Sequence, residues 1–356
     1  MARTGIKEIA ALAGVSIATV SNTLRNPDRV SQETRGRVLS LVQELGYVPN
    51  RFGVGLRTAR SQNILVMIPD ISDSFFHPII KSIERIAELQ GYSVLLANTQ
   101  DSRQREDNYA EFASTGQADG VLLFSRRYPF EVDENGFPVP DMPPVVSVTE
   151  DCRVKGVPLV SIDNIAAGSD ATRHLIEIGH KNIAVVTGDM TSTSSQGRLQ
   201  GYRQAMQAAG IPVNEENIIY GNYGIKFGED AVDRLLHFDK RPSAVLCFSD
   251  EIAVGFVFAL TSRGIKVSAD ISVMGFDNIP LIKYMHSPLT TVAQPLEKIG
   301  KASVELLLAM MAGKAVSKEN IILEHELRLG ISTRPYQDVP GRTGNSRLEK
   351  EGFMFN

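Results

Sequence analysis

Apolar positions change period along the chain. Near the N-terminus they recur at helical spacing, with Ile6, Ile9, Ala10 and Ala13 on one face. Gly14 follows as a helix stop suited to left-handed backbone, and Val15 turns inward. Ser16 is an N-cap residue type in front of a second helix over 17–24, whose Val20 and Leu24 face the same core. Asn26-Pro27-Asp28 ends that helix. Ser31 caps a third, with Glu33 and Thr34 in its first turn, an apolar stripe of Val38, Leu41, Val42 and Leu45, and Gly46 as its stop. Three short helices with a glycine turn between the first two predict a helix-turn-helix.

From residue 61 the pattern alternates between buried strand runs and amphipathic helices. Strands are expected at 64–68, 93–97, 120–124, 144–148, 158–162, 182–187, 243–248 and 271–275. Helices are expected at 75–90, 103–115, 166–179, 196–210, 226–238 and 250–263. This β-α order predicts parallel sheets covered on both faces. Its two rounds predict two similar doubly wound lobes, with a ligand cleft at the carboxyl ends of the strands. The expected organisation is a head over 1–48, a hinge and linker over 49–61, a two-lobed body over 62–335 and a disordered tail over 336–356.

Charge supports that division. Residues 1–60 hold nine Lys and Arg against four acidic residues, a net +5 within a chain of net −4. The body therefore carries −9, and a basic head on an acidic body places any polyanion at the head. In a helix-turn-helix the second helix enters the major groove. Ile17, Ala18 and Asn22 would face base edges, with Asn suited to adenine and the apolar pair to thymine methyls. Thr19, Ser21 and Arg25 would hold phosphates. Residues 50–57 are too few for a stable isolated helix, and Gly53 and Gly55 weaken it further. This segment is expected to order only on DNA, with Leu56 as a minor-groove wedge. The full candidate DNA set is Thr4, Lys7, Ser16, Ile17, Ala18, Thr19, Ser21, Asn22, Arg25, Arg29, Asn50, Leu56 and Arg57. A helical bundle without ligand is the plain alternative for the head.

Other chemistries find little support. Six scattered histidines and two cysteines make no zinc motif, and no nucleophile elbow or Walker loop occurs. The expectation is a non-enzyme without metal or cofactor. No stretch approaches the length of a membrane span, and Met1-Ala2-Arg3-Thr4-Gly5 lacks an apolar signal core. The expected compartment is the cytoplasm. A cytosolic solute-binding protein is the rival reading, and the basic head argues against it.

One set of motifs is longer than any of these. Ile9-Ala10-x-x-Ala13-Gly14-Val15-Ser16-x-x-Thr19-Val20-Ser21-x-x-Leu24-Arg25-Asn26, Val30-Ser31-x-x-Thr34-Arg35-x-Arg37-Val38 and Leu45-Gly46-Tyr47-x-Pro49-Asn50 resemble the LacI/GalR family of bacterial repressors. In the body, Arg198-Leu-Gln-Gly201-Tyr202, Ser249-Asp250-x-x-Ala253-x-Gly255, Gly275-Phe276-Asp277-Asn278 and Pro288-Leu289-Thr290-Thr291-Val292-x-Gln294-Pro295 resemble the effector domain of that family, a relative of periplasmic sugar-binding proteins. The hinge departs from the small Ala-containing hinge of many members through Gly53 and Gly55. The resemblance implies a homodimer on a pseudo-palindromic double-stranded operator, released when a small effector closes the lobes.

It also implies an effector set of Asp73, Phe75, Phe76, Glu150, Ser192, Ser194, Arg198, Tyr223, Ser249 and Asp277. The two phenylalanines would stack on a flat effector, Arg198 would donate charged hydrogen bonds, Asp277 would accept from hydroxyls, and Tyr223 would close over the ligand. Asp250 is expected to cap a helix, and Asp163-Asn164 is read as either structural or functional. Ser192 stands where some members carry a second arginine, which argues against an anionic effector. The resemblance is closest to a cytidine-responsive branch, so the implied effector is a nucleoside such as cytidine, with a sugar as the alternative.

Overall fold

The structure is a computed structural model that describes residues 5–47, 60–314 and 320–337. Its contacts divide into two units that meet between Ser61 and Gln62. In the head, α1 (Ile6–Leu12), α2 (Ile17–Arg25) and α3 (Gln32–Glu44) form the helix-turn-helix. Gly14 takes φ +62° at the turn. Ser16 Oγ accepts the Thr19 N–H at 3.0 Å, and Ser31 Oγ accepts that of Thr34 at 3.4 Å. Ile9, Ala10, Ala13, Val20 and Val38 are buried, with Ile6, Val15, Leu24, Leu41, Val42 and Tyr47 packed around them. Leu45 departs from its expected place: it follows the last helical turn and is 36% exposed, while Tyr47 packs on the core instead.

The body contains the two predicted parallel-sheet lobes. In the first, β1 (Asn63–Ile68), β2 (Ser93–Asn98), β3 (Gly120–Leu123), β4 (Val145–Val148) and β5 (Leu159–Ile162) alternate with α4 (Phe76–Leu89) and α5 (Arg103–Phe112). In the second, β6 (Ile183–Val186), β7 (Ile218–Ile219), β8 (Ala244–Cys247) and β9 (Ser272–Asp277) alternate with α6 (Asn164–Glu177), α7 (Thr193–Ala208), α8 (Ile225–Leu236) and α9 (Asp250–Ser262). Central strands such as β3, β4, β6 and β8 are buried at every residue, as strands covered on both faces must be.

The chain continues beyond the last expected strand. β10 (Thr290–Ala293) adds to β9 in parallel, and α10 (Leu296–Met311) returns to pack on α4 of the first lobe. β11 (Ile321–Leu323) then joins β5, and β12 (Glu326–Arg328) joins β10 antiparallel. The sheet orders are β11-β5-β4-β3-β1-β2 and β12-β10-β9-β8-β6-β7. Both lobes therefore contain C-terminal chain, and three connections link them, near residues 163, 294 and 324. Tyr336, expected in the tail, is tied down: its N–H donates to the Ile178 carbonyl at 2.7 Å and its ring lies 5.7 Å from that of His180. Residues 338–356 lie outside the described residues. Among the described residues no helix is long and apolar enough to cross a membrane.

Candidate functional site

Eight of the thirteen predicted DNA contacts have described side chains in the head, five of them exposed. Ser16, Ile17 and Ala18 are exposed at the start of α2, Thr19, Ser21 and Asn22 are half-buried along it, and Lys7 and Arg29 are exposed. Ile17 is 45% exposed although isoleucine favours burial. The capping bond of Ser16 fixes this helix start, which is the end a groove would receive. Thr4, Asn50, Leu56, Arg57 and the side chain of Arg25 lie outside the described residues.

In the body, the strand-following loops of both lobes enclose a cavity of about 400 Å³. All ten residues proposed for the effector line it. The backbone explains the convergence. Asp73, Phe75 and Phe76 lie in and beyond the loop after β1, Thr149 and Glu150 after β4, Asp189, Ser192 and Ser194 after β6, Ser249 after β8, and Asp277 at the end of β9. Thr149 (φ +63°) and Asp277 (φ +116°) hold backbone conformations that side-chain-bearing residues rarely adopt, a strain that concentrates at binding sites.

Roles of the expected residues differ from the reading above in three places, at Phe76, Arg198 and Asp250. Phe76 is 6% exposed and packs edge-on against Phe124, with ring centres 5.5 Å apart. The accessible ring is that of Phe75, half-buried and 5.2 Å from Phe76. Arg198 is 4% exposed and bonded inside the protein. Its Nε donates to Asn164 Oδ1 at 3.0 Å, one Nη donates to the Phe248 carbonyl, and the other lies 3.7 Å from Asp277. Its guanidinium carbon lies 3.7 Å from the centre of the Phe276 ring, a cation–π contact. Arg198 thus acts mainly as a strut that fixes Asp277 and Asn164. Asp250 is not the expected cap. Ser249 caps α9 by accepting the Ile252 N–H at 3.1 Å, while the fully buried Asp250 accepts Thr291 Oγ at 2.7 Å and the Ile279 N–H at 2.9 Å. In the Asp163-Asn164 pair, Asp163 caps α6 and Asn164 faces the cavity.

The polar side chains form a second layer of bonds. Glu150 accepts Ser192 Oγ at 2.7 Å, Thr193 N–H at 2.9 Å and Oγ1 at 2.8 Å, Ser194 N–H at 3.4 Å, and the Ser194 hydroxyl. Tyr223 shares its hydroxyl with Ser195 at 2.6 Å and Ser194 at 3.2 Å, and its ring covers the space where a Cβ on Gly188 would sit. Gln294 Nε2 donates to Asp277 Oδ1 at 2.8 Å. Burial pushes Asp73 up to about 8, helped by the charge of Glu251. Burial also raises Asp277 and Asp250, and Arg198 opposes the rise at Asp277.

Sequence reasoning missed Arg126, Asp101, Asp189, Asn222, Glu251 and Gln294, which also line the cavity. Three of these, Arg126, Asp189 and Glu251, form two bridges between the lobes. Ser74 donates its N–H and hydroxyl to Glu251 Oε1 at 3.0 and 2.7 Å, and Arg126 donates to Asp189 at 3.0 Å. Arg126 had a findable signal, since Ser125-Arg126-Arg127 directly follows the apolar run of β3. Ser125 and Arg127 bond to Glu106 on α5, which anchors the loop on either side of Arg126.

Residues 61–328 match the family described as periplasmic binding proteins and sugar binding domain of LacI family, and residues 5–50 match bacterial regulatory proteins of the lacI family. The HTH-type transcriptional repressor CytR of Escherichia coli (strain K12) is 39% identical over 92% of this chain and 96% of its own. The transcriptional regulator CelR, solved as a cellobiose complex, is 30% identical with TM-score 0.68, covering 93% of this chain and all of that one. The Lac repressor dimer bound to operator shares the fold at TM-score 0.80 and 24% identity, covering 94% of this chain and all of its own. The chain belongs to the LacI family of bacterial transcriptional regulators, with an N-terminal helix-turn-helix and a periplasmic-binding-protein-like ligand domain.

Proposed function

We propose that this protein is a cytoplasmic homodimeric repressor, not an enzyme, that reads a pseudo-palindromic operator through its two heads and is released by a nucleoside such as cytidine. The observation that carries the reading is the convergence of the ten implied effector residues on one cavity at the lobe junction. The half-buried Phe75 ring that lines the cavity suits a flat base. The carboxyl and hydroxyl groups around it suit ribose hydroxyls, which both donate and accept. The relative at 39% identity is a repressor named CytR. In operation, α2 enters the major groove, residues 50–57 fold on the operator, and Leu56 wedges the central minor groove. Effector then draws the lobes together and weakens the grip on DNA.

A sugar effector is the second reading. It is favoured by the cellobiose complex of the similar regulator CelR and by the sugar-binding description of the matched family. A thermal-shift panel of cytidine, uridine, adenosine, free bases, ribose and hexoses separates the two. Ligand at about 100 times its Kd adds about 2.7 kcal/mol, a readable shift. A shift with nucleosides alone is expected. A shift with a sugar and none with nucleosides would overturn the nucleoside assignment.

A further inference from the structure

In a parallel α/β lobe, a helix N-terminus at the carboxyl edge of the sheet ordinarily receives anions, because free amides and the positive end of the helix dipole meet there. Several helix starts line this cavity, and at that of α7 a side chain of the protein already fills the position. Glu150 reaches across from the first lobe. Its Oε2 takes the Thr193 and Ser194 amides together with the Thr193 hydroxyl, and its Oε1 takes the hydroxyls of Ser192 and Ser194. Ser192 also caps the helix, accepting the Ser195 N–H at 3.3 Å. The donors a phosphate would use at α7 are therefore committed.

The cations of the cavity are committed as well. Arg126 is paired with Asp189, and Arg198 is engaged by Asn164, the Phe248 carbonyl and Asp277. Seven carboxyl groups and two guanidinium groups line the cavity. With Arg198 paired to Asp277 and Arg126 to Asp189, and with burial favouring the protonated form of Asp73, the lining stays negative. A phosphate entering at the start of α7 would meet like charge and donors already engaged by Glu150.

We propose that Glu150 is a built-in anion that fills the phosphate cradle of α7 and makes the cavity reject phosphorylated ligands, so that the effector is the free nucleoside or sugar and not its phosphate ester. This inference rests on the cavity being the effector site. It places the regulator upstream of a phosphorylating reaction, reporting the pool of substrate that a kinase would consume.

The test uses the full-length protein and matched pairs: cytidine with cytidine 5′-monophosphate, and ribose with ribose 5-phosphate. By calorimetry the free member of the bound pair is expected to bind about 100-fold tighter than its ester, the scale of a like-charge mismatch at a binding site. Glu150→Ala is expected to narrow that ratio about tenfold. It should also acquire thermal stabilisation by inorganic phosphate, against sodium chloride of equal ionic strength, that the wild type lacks. Glu150→Gln keeps the shape and guards against misfolding; it should narrow the ratio without gaining the phosphate response. An ester that binds the wild type as tightly as its free partner overturns the proposal. So does a wild type stabilised by inorganic phosphate as much as the alanine variant. Binding of ribose but not its ester would remove the nucleoside assignment and leave this inference standing. If neither pair binds, the phosphate response alone decides it.

Discussion

Arg198 and Asp277 form the most deeply buried ion pair of the cavity, with side chains 5% and 6% exposed. The charge on Arg198 is offset by the Phe276 ring, a carbonyl and Asn164 as well as by Asp277. Arg198→Ala would leave the Asp277 carboxyl without its counter-ion and open a void over Phe276. The expected loss is about 3–5 kcal/mol, the usual result of breaking a buried pair from one side, read by urea denaturation. A loss below about 1 kcal/mol, the scale of a surface pair, would remove Arg198 from its bracing role. Asp73 makes a pH prediction. Its folded value, about 8, lies above its ordinary 3.8. The proton it holds when folded therefore contributes stability that is complete below pH 4 and is lost as pH rises through 8. Asp73→Asn keeps an acceptor for the Phe75 N–H, which now bonds at 2.8 Å. Thermal melts between pH 5 and 8 should show the variant gaining on the wild type as pH rises; a constant gap would mean that Asp73 ionises normally. At this scale the sequence revealed which loops converge but not how their atoms share bonds. Ser249 and Asp250 are adjacent and both suit a helix cap, and only the fold shows that Asp250 is turned inward to Thr291 and Ile279.

Helices were read within a few residues where an apolar stripe and a cap agreed, as in α2 and α3, where both predicted serine caps accept the expected bonds. The second lobe shows what such a reading leaves out. Gly201 stood out only as part of the Arg198-to-Tyr202 motif. In the structure α6 and α7 cross so closely that a Cβ on Gly201 would stand 2.1 Å from the Ile165 carbonyl oxygen, and one on Gly168 2.4 Å from that of Arg198. Both obstacles are backbone, so neither can swing aside. Gly201→Ala should therefore force the helices apart and cost about 1–3 kcal/mol or more through overpacking, despite the gain in helix propensity. Because Arg198 lies three residues earlier on α7, the displacement should also weaken effector binding. An alanine variant with unchanged melting temperature would mean that the helices can separate freely. The later elements were missed for a different reason. β11 and β12 are three residues each, too short for a period, and β10 is half threonine. The stripe of Leu296, Ile299, Val304 and Leu307 on α10 was readable, but not its return to the first lobe.

That return matters at the scale of the molecule. Because both sheets contain chain from before and after α10, the lobes are tied by three connections, and two of them pass the cavity through Asn164 and Gln294. Periodicity indicated two lobes, whereas these crossings depend on contacts far apart in sequence. Ligand bound between the lobes touches the joints about which they would rotate, along with the Ser74–Glu251 and Arg126–Asp189 bridges across the cleft. With the effector seated in this cavity as proposed, its binding and the lobe geometry would be one equilibrium. If the operator favours one lobe arrangement and effector the other, linkage requires a reciprocal effect: bound operator must weaken effector by the same factor by which effector weakens operator. For couplings of the usual size that factor is about 5–150-fold. Calorimetric titration of cytidine into the protein, alone and saturated with operator duplex, should give two Kd values in this ratio. The same ratio should emerge from operator binding measured with and without saturating cytidine. Equal cytidine affinities in the two titrations would break the cycle and leave the cavity uncoupled from the DNA-reading head.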